Sequence, residues 1–177
     1  RATCVLFGDG SGAVVLSACD ESEGSQIIDS ILTSDASKRE SLILPAGGAI
    51  EPVRQKTLDE NRQWMSMDGQ TVFKNAVKTM SAHCAKLLKR NKMTVDDVDW
   101  FIPHQANLRI IETTGQLLKF PAEKTIINVE KYANTSSASI PAALHEAVSD
   151  GRIKRGDIVL FAAFGAGLTS GATLLRF

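Results

Sequence analysis

The chain has 177 residues, 44% of them hydrophobic, which suits one domain or a large part of one with a sizeable core. Twenty Lys and Arg balance twenty Asp and Glu. That balance excludes a nucleic-acid coat and a polybasic membrane anchor, though not a local basic patch. Only Cys4, Cys19 and Cys84 are present, without C-x-x-C spacing, so neither a disulfide framework nor a zinc finger is indicated and a reducing cytosol is expected. The longest apolar stretch, 158–168, is interrupted by Gly165 and Gly167 and falls short of the ~18 residues of a membrane span. No signal peptide is visible in this sequence, and none is expected. It begins Arg1-Ala2-Thr3-Cys4, which reads like the middle of a larger protein.

In chain order, 3–7 and 13–18 are β-rich runs around Gly8-Asp9-Gly10-Ser11-Gly12, which predicts two strands joined by a tight turn. A third strand is expected over 27–33. Residues 34–66, with Pro45, Gly47, Gly48 and Pro52, predict mostly loop. Between Gly69 and Asn91 the period changes: Val72, Phe73, Ala76, Val77, Met80, Cys84, Leu87 and Leu88 recur at helical spacing, with Asp68 as N-cap. A short buried strand over 100–103, a helix over 107–119 and a strand over 125–129 follow. Next comes a helix over 137–150, with Pro141 in its opening turn and Gly151 beyond its end. Strands over 157–164 and 168–177 close the chain around a glycine-rich bend. Alternating strands and helices imply an α/β layered sheet, its final pair antiparallel.

Three strand-end segments can carry chemistry. Pro103-His104-Gln105-Ala106-Asn107 lies at a strand carboxyl end, where α/β proteins bind ligands; a histidine there can donate a hydrogen bond or shuttle a proton. A capping or satisfied core histidine is an equally good reading of the pentapeptide alone. Asn134-Thr135-Ser136-Ser137 is ordinary N-cap vocabulary, although an asparagine amide can also donate to an oxygen that gains charge. Phe164-Gly165-Ala166-Gly167 reads first as a hairpin turn, and second as a place where an exposed N–H serves an oxyanion. The 8–12 glycines lack G-K-[ST] and precede a strand, so a phosphate loop is set aside. His83 and Cys84 point about 100° apart on one helix, which argues against a catalytic pair. His145 reads as surface or packing, and no metal-ligand spacing appears.

Taken in order, Leu6 through Ala13 (LFGDGSGA), Trp100 through Ile111 (WFIPHQANLRII), Asn134 through Pro141 (NTSSASIP), Gly151-Arg152-Ile153 and Ala163 to Phe177 resemble the β-ketoacyl-acyl carrier protein synthase III family of the thiolase-like superfamily. The pair WFIPHQANLRII and NTSSASIP carries most of the specificity. The resemblance implies two similar α/β halves stacked as a layered αβαβα fold. Residues 1–18 would be the final strands of the first half, 19–26 a connection and 27–177 the second half. It implies a decarboxylating Claisen condensation of an acyl-CoA primer, expected to be acetyl-CoA, with malonyl-acyl carrier protein, initiating fatty acid biosynthesis. Coenzyme A enters as a thioester substrate; no tightly bound cofactor or metal is implied. A cytoplasmic homodimer without nucleic-acid or membrane partners is expected.

Residue by residue, His104 and Asn134 match the family's pair that steadies the enolate. Ala166 matches the second oxyanion donor and Phe164 a residue beside the acyl pocket. Gly69, Phe73, Ala106, Asn107, Arg109 and Ile110 match the pantetheine tunnel, and Lys74 and Arg109 a carrier-protein contact. Three departures accompany the match. None of the three cysteines has the nucleophile's context, so residues 1–177 alone are expected to be inactive. Ala133 and Ala166 stand where glycine is common, with strain expected if Ala166 needs positive φ. Gln116 and Leu117 replace basic residues, which weakens the carrier-protein patch. Another acyl-CoA condensing enzyme of secondary metabolism and a non-catalytic partner subunit are the alternatives.

Overall fold

The computed structural model describes residues 3–20 and 24–177. Strand β1 (Gln26–Ser34) is followed by a 3-10 turn and a two-stranded ribbon, β2 (Leu42–Ile43) with β3 (Ser66–Met67), which encloses the short helix α1 (Gln55–Asp59). Then come the long helix α2 (Gly69–Arg90), β4 (Trp100–Pro103), α3 (Leu108–Leu118), α4 (Val129–Tyr132) and α5 (Ser139–Ser149). The hairpin of β5 (Ile158–Gly165) and β6 (Thr169–Arg176) ends the chain. The main sheet has the order β1-β6-β5-β4, with β4 and β5 parallel and the other pairs antiparallel.

Side-chain alternation along the strands sorts the core into two layers. Leu160, Ala162 and Phe164 of β5 join Phe101, Ala172 and Leu174 under α2 and α3. Val159 and Ile102 face the opposite way and pack with Ala143 and Ala147 of α5, flanked by the partly buried Phe161. Helix α2 buries Val72, Ala76, Val77, Met80, Cys84, Leu87 and Leu88, the stripe its periodicity predicts. The Asp68 carboxylate caps it by accepting from the N–H groups of Gln70 and Thr71 at 3.1 and 3.2 Å. At its other end Arg90 grips Asp29 through Nε and Nη2 at 2.6 and 2.5 Å, and Asn91 donates to the same carboxylate. Those contacts, Arg90 foremost, hold the Asp29 carboxyl below its ordinary pKa. No helix among the described residues is long and apolar enough to cross a membrane.

Two expected elements differ. Residues 3–20 form no hairpin: 3–6 make a turn, Phe7 makes a single parallel bridge to Asn134, and 8–20 run without regular structure. Each of the three glycines there, at every second position, abuts another segment. A Cβ on Gly8 would meet the Tyr132 carbonyl oxygen at 2.2 Å, one on Gly10 the Thr135 side chain at 2.9 Å, and one on Gly12 the Pro141 ring at 2.6 Å. The run is an extended strap, because alternating glycines give close approach along one edge instead of a reversal. The strand expected over 125–129 shrinks to one bridge between Thr125 and Phe101, and Val129 already starts α4. Its backbone groups are taken by a side chain: the Gln105 carboxamide binds the Ile126 carbonyl and the N–H groups of Asn128 and Val129.

Leu87 is fully buried between α2 and the sheet. Leu87→Ala is expected to lower stability by about 2–5 kcal/mol, read from the midpoint of urea unfolding.

Candidate active site

Parallel pairing of β4 with β5 carries the chain to the carboxyl ends of both strands, where the His104 N–H donates to the Ala162 carbonyl at 2.7 Å and extends the ladder. The imidazole then stands at the sheet edge. Its Nδ1 lies 2.6 Å from the Ser139 hydroxyl at the start of α5. That hydroxyl oxygen already accepts the Gln105 N–H at 3.2 Å, and its own proton has no other acceptor among the described residues. We therefore assign the hydroxyl as donor to Nδ1, which puts the ring hydrogen on Nε2. Burial pushes the His104 pKa below its ordinary 6.5, so the ring is neutral at physiological pH.

Asn134 is held by its backbone. Its N–H donates to the Leu6 carbonyl and its carbonyl accepts the Gly8 N–H, both at 3.0 Å. The side-chain Oδ1 accepts the Ser136 N–H at 2.9 Å, which leaves the amide Nδ2 with no acceptor among the described residues. Residues on both sides pay in conformation. Ala133 sits at φ 58°, ψ −161°, a region open essentially to glycine, and Ser136 at φ 54°. Ala166, by contrast, is not among the positive-φ residues, so the strain expected there is absent. It opens a single 3-10 turn, 166–168, whose first N–H groups have no partner inside the turn.

His104, Asn134, Phe164 and Ala166 line one cavity of about 910 Å³. Gly69, Phe73 and Lys74 of α2 and Ala106, Asn107, Arg109 and Ile110 around α3 line it too, so the residues matched to the family's site meet there. Asn107 also caps α3 by accepting the Arg109 N–H at 2.9 Å. The Arg109 guanidinium lies 5.5 Å from the centre of the Phe73 ring, which fixes a cation on the lining. His104, Ser136, Phe164 and Gly165 also line a second cavity of about 430 Å³, so they form the wall between the two. The cysteines are elsewhere. Neither Cys4 nor Cys19 lines the cavity, and Cys84 is buried in α2 with its thiol pushed up to about 12. His83 bonds Thr33 and Ser170 at 3.3 Å, a packing role, and His145 is exposed on α5.

Sequence reasoning missed Ser139, the Leu6–Phe7 wall and the function of the glycine strap. Their signals were present: a serine five residues beyond Asn134, and glycines at period two, which is a strand-like spacing.

The family model described as 3-oxoacyl-(acyl-carrier-protein) synthase III, C terminal, matches residues 88–177. The chain belongs to that family. A companion model, 3-oxoacyl-(acyl-carrier-protein) synthase III, matches residues 1–36. Beta-ketoacyl-(acyl-carrier-protein) synthase III of Koribacter versatilis is 49% identical over the whole chain, and that of Campylobacter fetus 47%. The chain spans 53% of each, about half the length of these curated relatives. The crystal structure of the Pseudomonas aeruginosa synthase III superposes on all of this chain and 52% of its own, with TM-score 0.89 at 36% identity. The Aquifex aeolicus synthase III gives 0.82 at 37%, covering all of this chain and 52% of its own. The helix–sheet–helix layering is thus part of the thiolase-like fold of this family.

Two outcomes follow from the geometry. Ala133→Gly is expected to raise stability by about 1 kcal/mol, since relief of backbone strain exceeds the entropy of the extra glycine; denaturant midpoints read it. The depressed His104 pKa means the unfolded chain binds more protons below pH 6.5. The stability contributed by this group is complete above 6.5 and is lost as pH falls toward the lower folded value. An NMR titration of the ring checks both the value and the sign.

Proposed function

We propose that this chain is the condensing half of a synthase that joins an acyl-CoA primer, acetyl-CoA by preference, to malonyl-acyl carrier protein and so initiates fatty acid biosynthesis. Residues 1–18 belong to the first half of the thiolase-like fold and those from 27 onward to the second. One observation carries the reading: the His104 ring and the Asn134 amide, whose NH₂ has no acceptor among the described residues, line the same cavity.

Malonyl thioester loses carbon dioxide when the electron pair of its carboxyl C–C bond moves into the thioester carbonyl, which becomes an enolate oxygen. His104 Nε2–H and Asn134 Nδ2–H donate to that oxygen as charge builds. Fixed donors in a sheltered site stabilise charge without reorganising when it appears. The enolate carbon then attacks the acyl-thioester carbonyl of an acylated cysteine. A carbon–carbon bond forms, the cysteine leaves as thiolate, and 3-oxoacyl thioester is the product. The Ala166 N–H serves the oxygen of that acyl carbonyl, and Phe164 borders the acyl chain. Residues 69, 73, 106, 107, 109 and 110 guide the pantetheine arm. Lys74 and Arg109 meet acidic carrier protein, raising on-rate and fixing register. The nucleophile comes from outside residues 1–177, because the one buried thiol here is held protonated and the other two lie off the cavity. The protein acts in the cytoplasm as a homodimer.

His104→Ala and Asn134→Ala, each in the complete protein, are expected to cut malonyl decarboxylation about 10²–10³-fold. Unchanged decarboxylation in both would sink the assignment. Residues 1–177 alone are expected to take up no stable label from radiolabelled acetyl-CoA.

A further inference from the structure

Gln105 is the largest polar side chain sealed from solvent among the described residues, with 0% exposure. Its carboxamide has two donors and one oxygen, and all are used. Nε2 donates to the Pro103 carbonyl at 2.8 Å and to the Ile126 carbonyl at 3.1 Å. Oε1 accepts the N–H groups of Asn128 at 2.8 Å and Val129 at 3.2 Å. One bond stays within the His104 loop; three cross to the segment that enters α4, which ends next to Ala133 and Asn134. On the far side of Asn134, Ser139 receives the Gln105 N–H and meets the His104 ring. Asn134 is therefore flanked at 126–129 and at 139 by bonds that all originate from residues 104 and 105.

We propose that Gln105 is a positioning residue that sets the spacing of His104 and Asn134 across the cavity. The proposal rests on the reading of that pair as the enolate's donors. A saturated buried carboxamide is a stiff cross-link, because every displacement of one segment breaks a bond that no water replaces. Two donors that must meet one oxygen lose effect when either moves; a misplacement of about 1 Å can cost on the order of 10²-fold in rate.

The test uses the complete protein and its malonyl decarboxylation. Glu in place of Gln105 keeps the shape. When protonated it retains one donor; when ionised it faces the Pro103 and Ile126 carbonyls with a negative charge. Burial raises the pKa of such a carboxyl. Gln105→Glu is expected to show kcat falling as pH rises, with KM unchanged, across a range where circular dichroism reports the folded protein and the parent shows no such titration. Gln105→Met is expected to lose about 10²-fold in kcat at constant KM. Parent-like kcat at every pH in folded Gln105→Glu overturns the proposal. Should neither variant fold, hydrogen exchange on the parent decides: slow exchange of the Asn128 and Val129 amides supports the brace, and exchange at loop rates overturns it. If His104→Ala and Asn134→Ala lower decarboxylation while the Gln105 variants do not, the positioning role alone is wrong.

Discussion

The hydrogen bond from the Ser139 hydroxyl to His104 Nδ1 fixes more of this site than any other single contact. It joins the end of β4 to the start of α5, two elements on different layers of the fold. Without a partner on Nδ1, nothing at this part-buried imidazole would set which ring nitrogen carries the hydrogen. The serine removes that freedom. Since Ser139 also holds the Gln105 N–H, the hydroxyl cannot turn away without giving up a second bond. Neutral charge, tautomer and ring direction thus come from one hydroxyl and its burial.

Asn134 is fixed by different means. Its orientation rests on backbone: bonds to Leu6 and Gly8 on the strap, and a left-handed or glycine-like conformation at Ala133 and Ser136. Such conformations persist only when the surroundings over-determine them, and here the strap, α4 and α5 supply that determination. The three glycines at 8, 10 and 12 belong to the same device. A methyl group at Gly8 or Gly10 would push the strap off the loop that carries the amide, and one at Gly12 would push it off Pro141 in α5.

The failures of sequence reading fall where contacts distant in the chain, not local pattern, decide the backbone's partners. Residues 125–129 carry a strand-like pattern, yet after the single bridge to Phe101 the Ile126 carbonyl and the Asn128 and Val129 N–H groups bond to Gln105 instead of a neighbouring strand. Residues 3–18 look like a hairpin because β-branched residues surround glycines, but nothing local says which surface those glycines approach. Helix α2, by contrast, agrees with its prediction almost to the residue, since its stripe, cap and basic end are all local features. Strands β4, β5 and β6 agree for a related reason: short apolar runs bounded by glycine or polar residues.

The order of the residues determined which segments are helix or strand, the apolar faces that pack, the family to which the chain belongs and the short list of polar groups at strand ends. All of these depend on near neighbours or on recognisable strings. Only tertiary structure decided that His104 and Asn134 share one cavity, that Ser139 completes the imidazole, that Ala133 bears the strain where Ala166 does not, and that Gln105 ties the two loops together. Each of these joins groups far apart in the chain or depends on a backbone angle, and residue identity alone does not specify the distances and directions on which they rest.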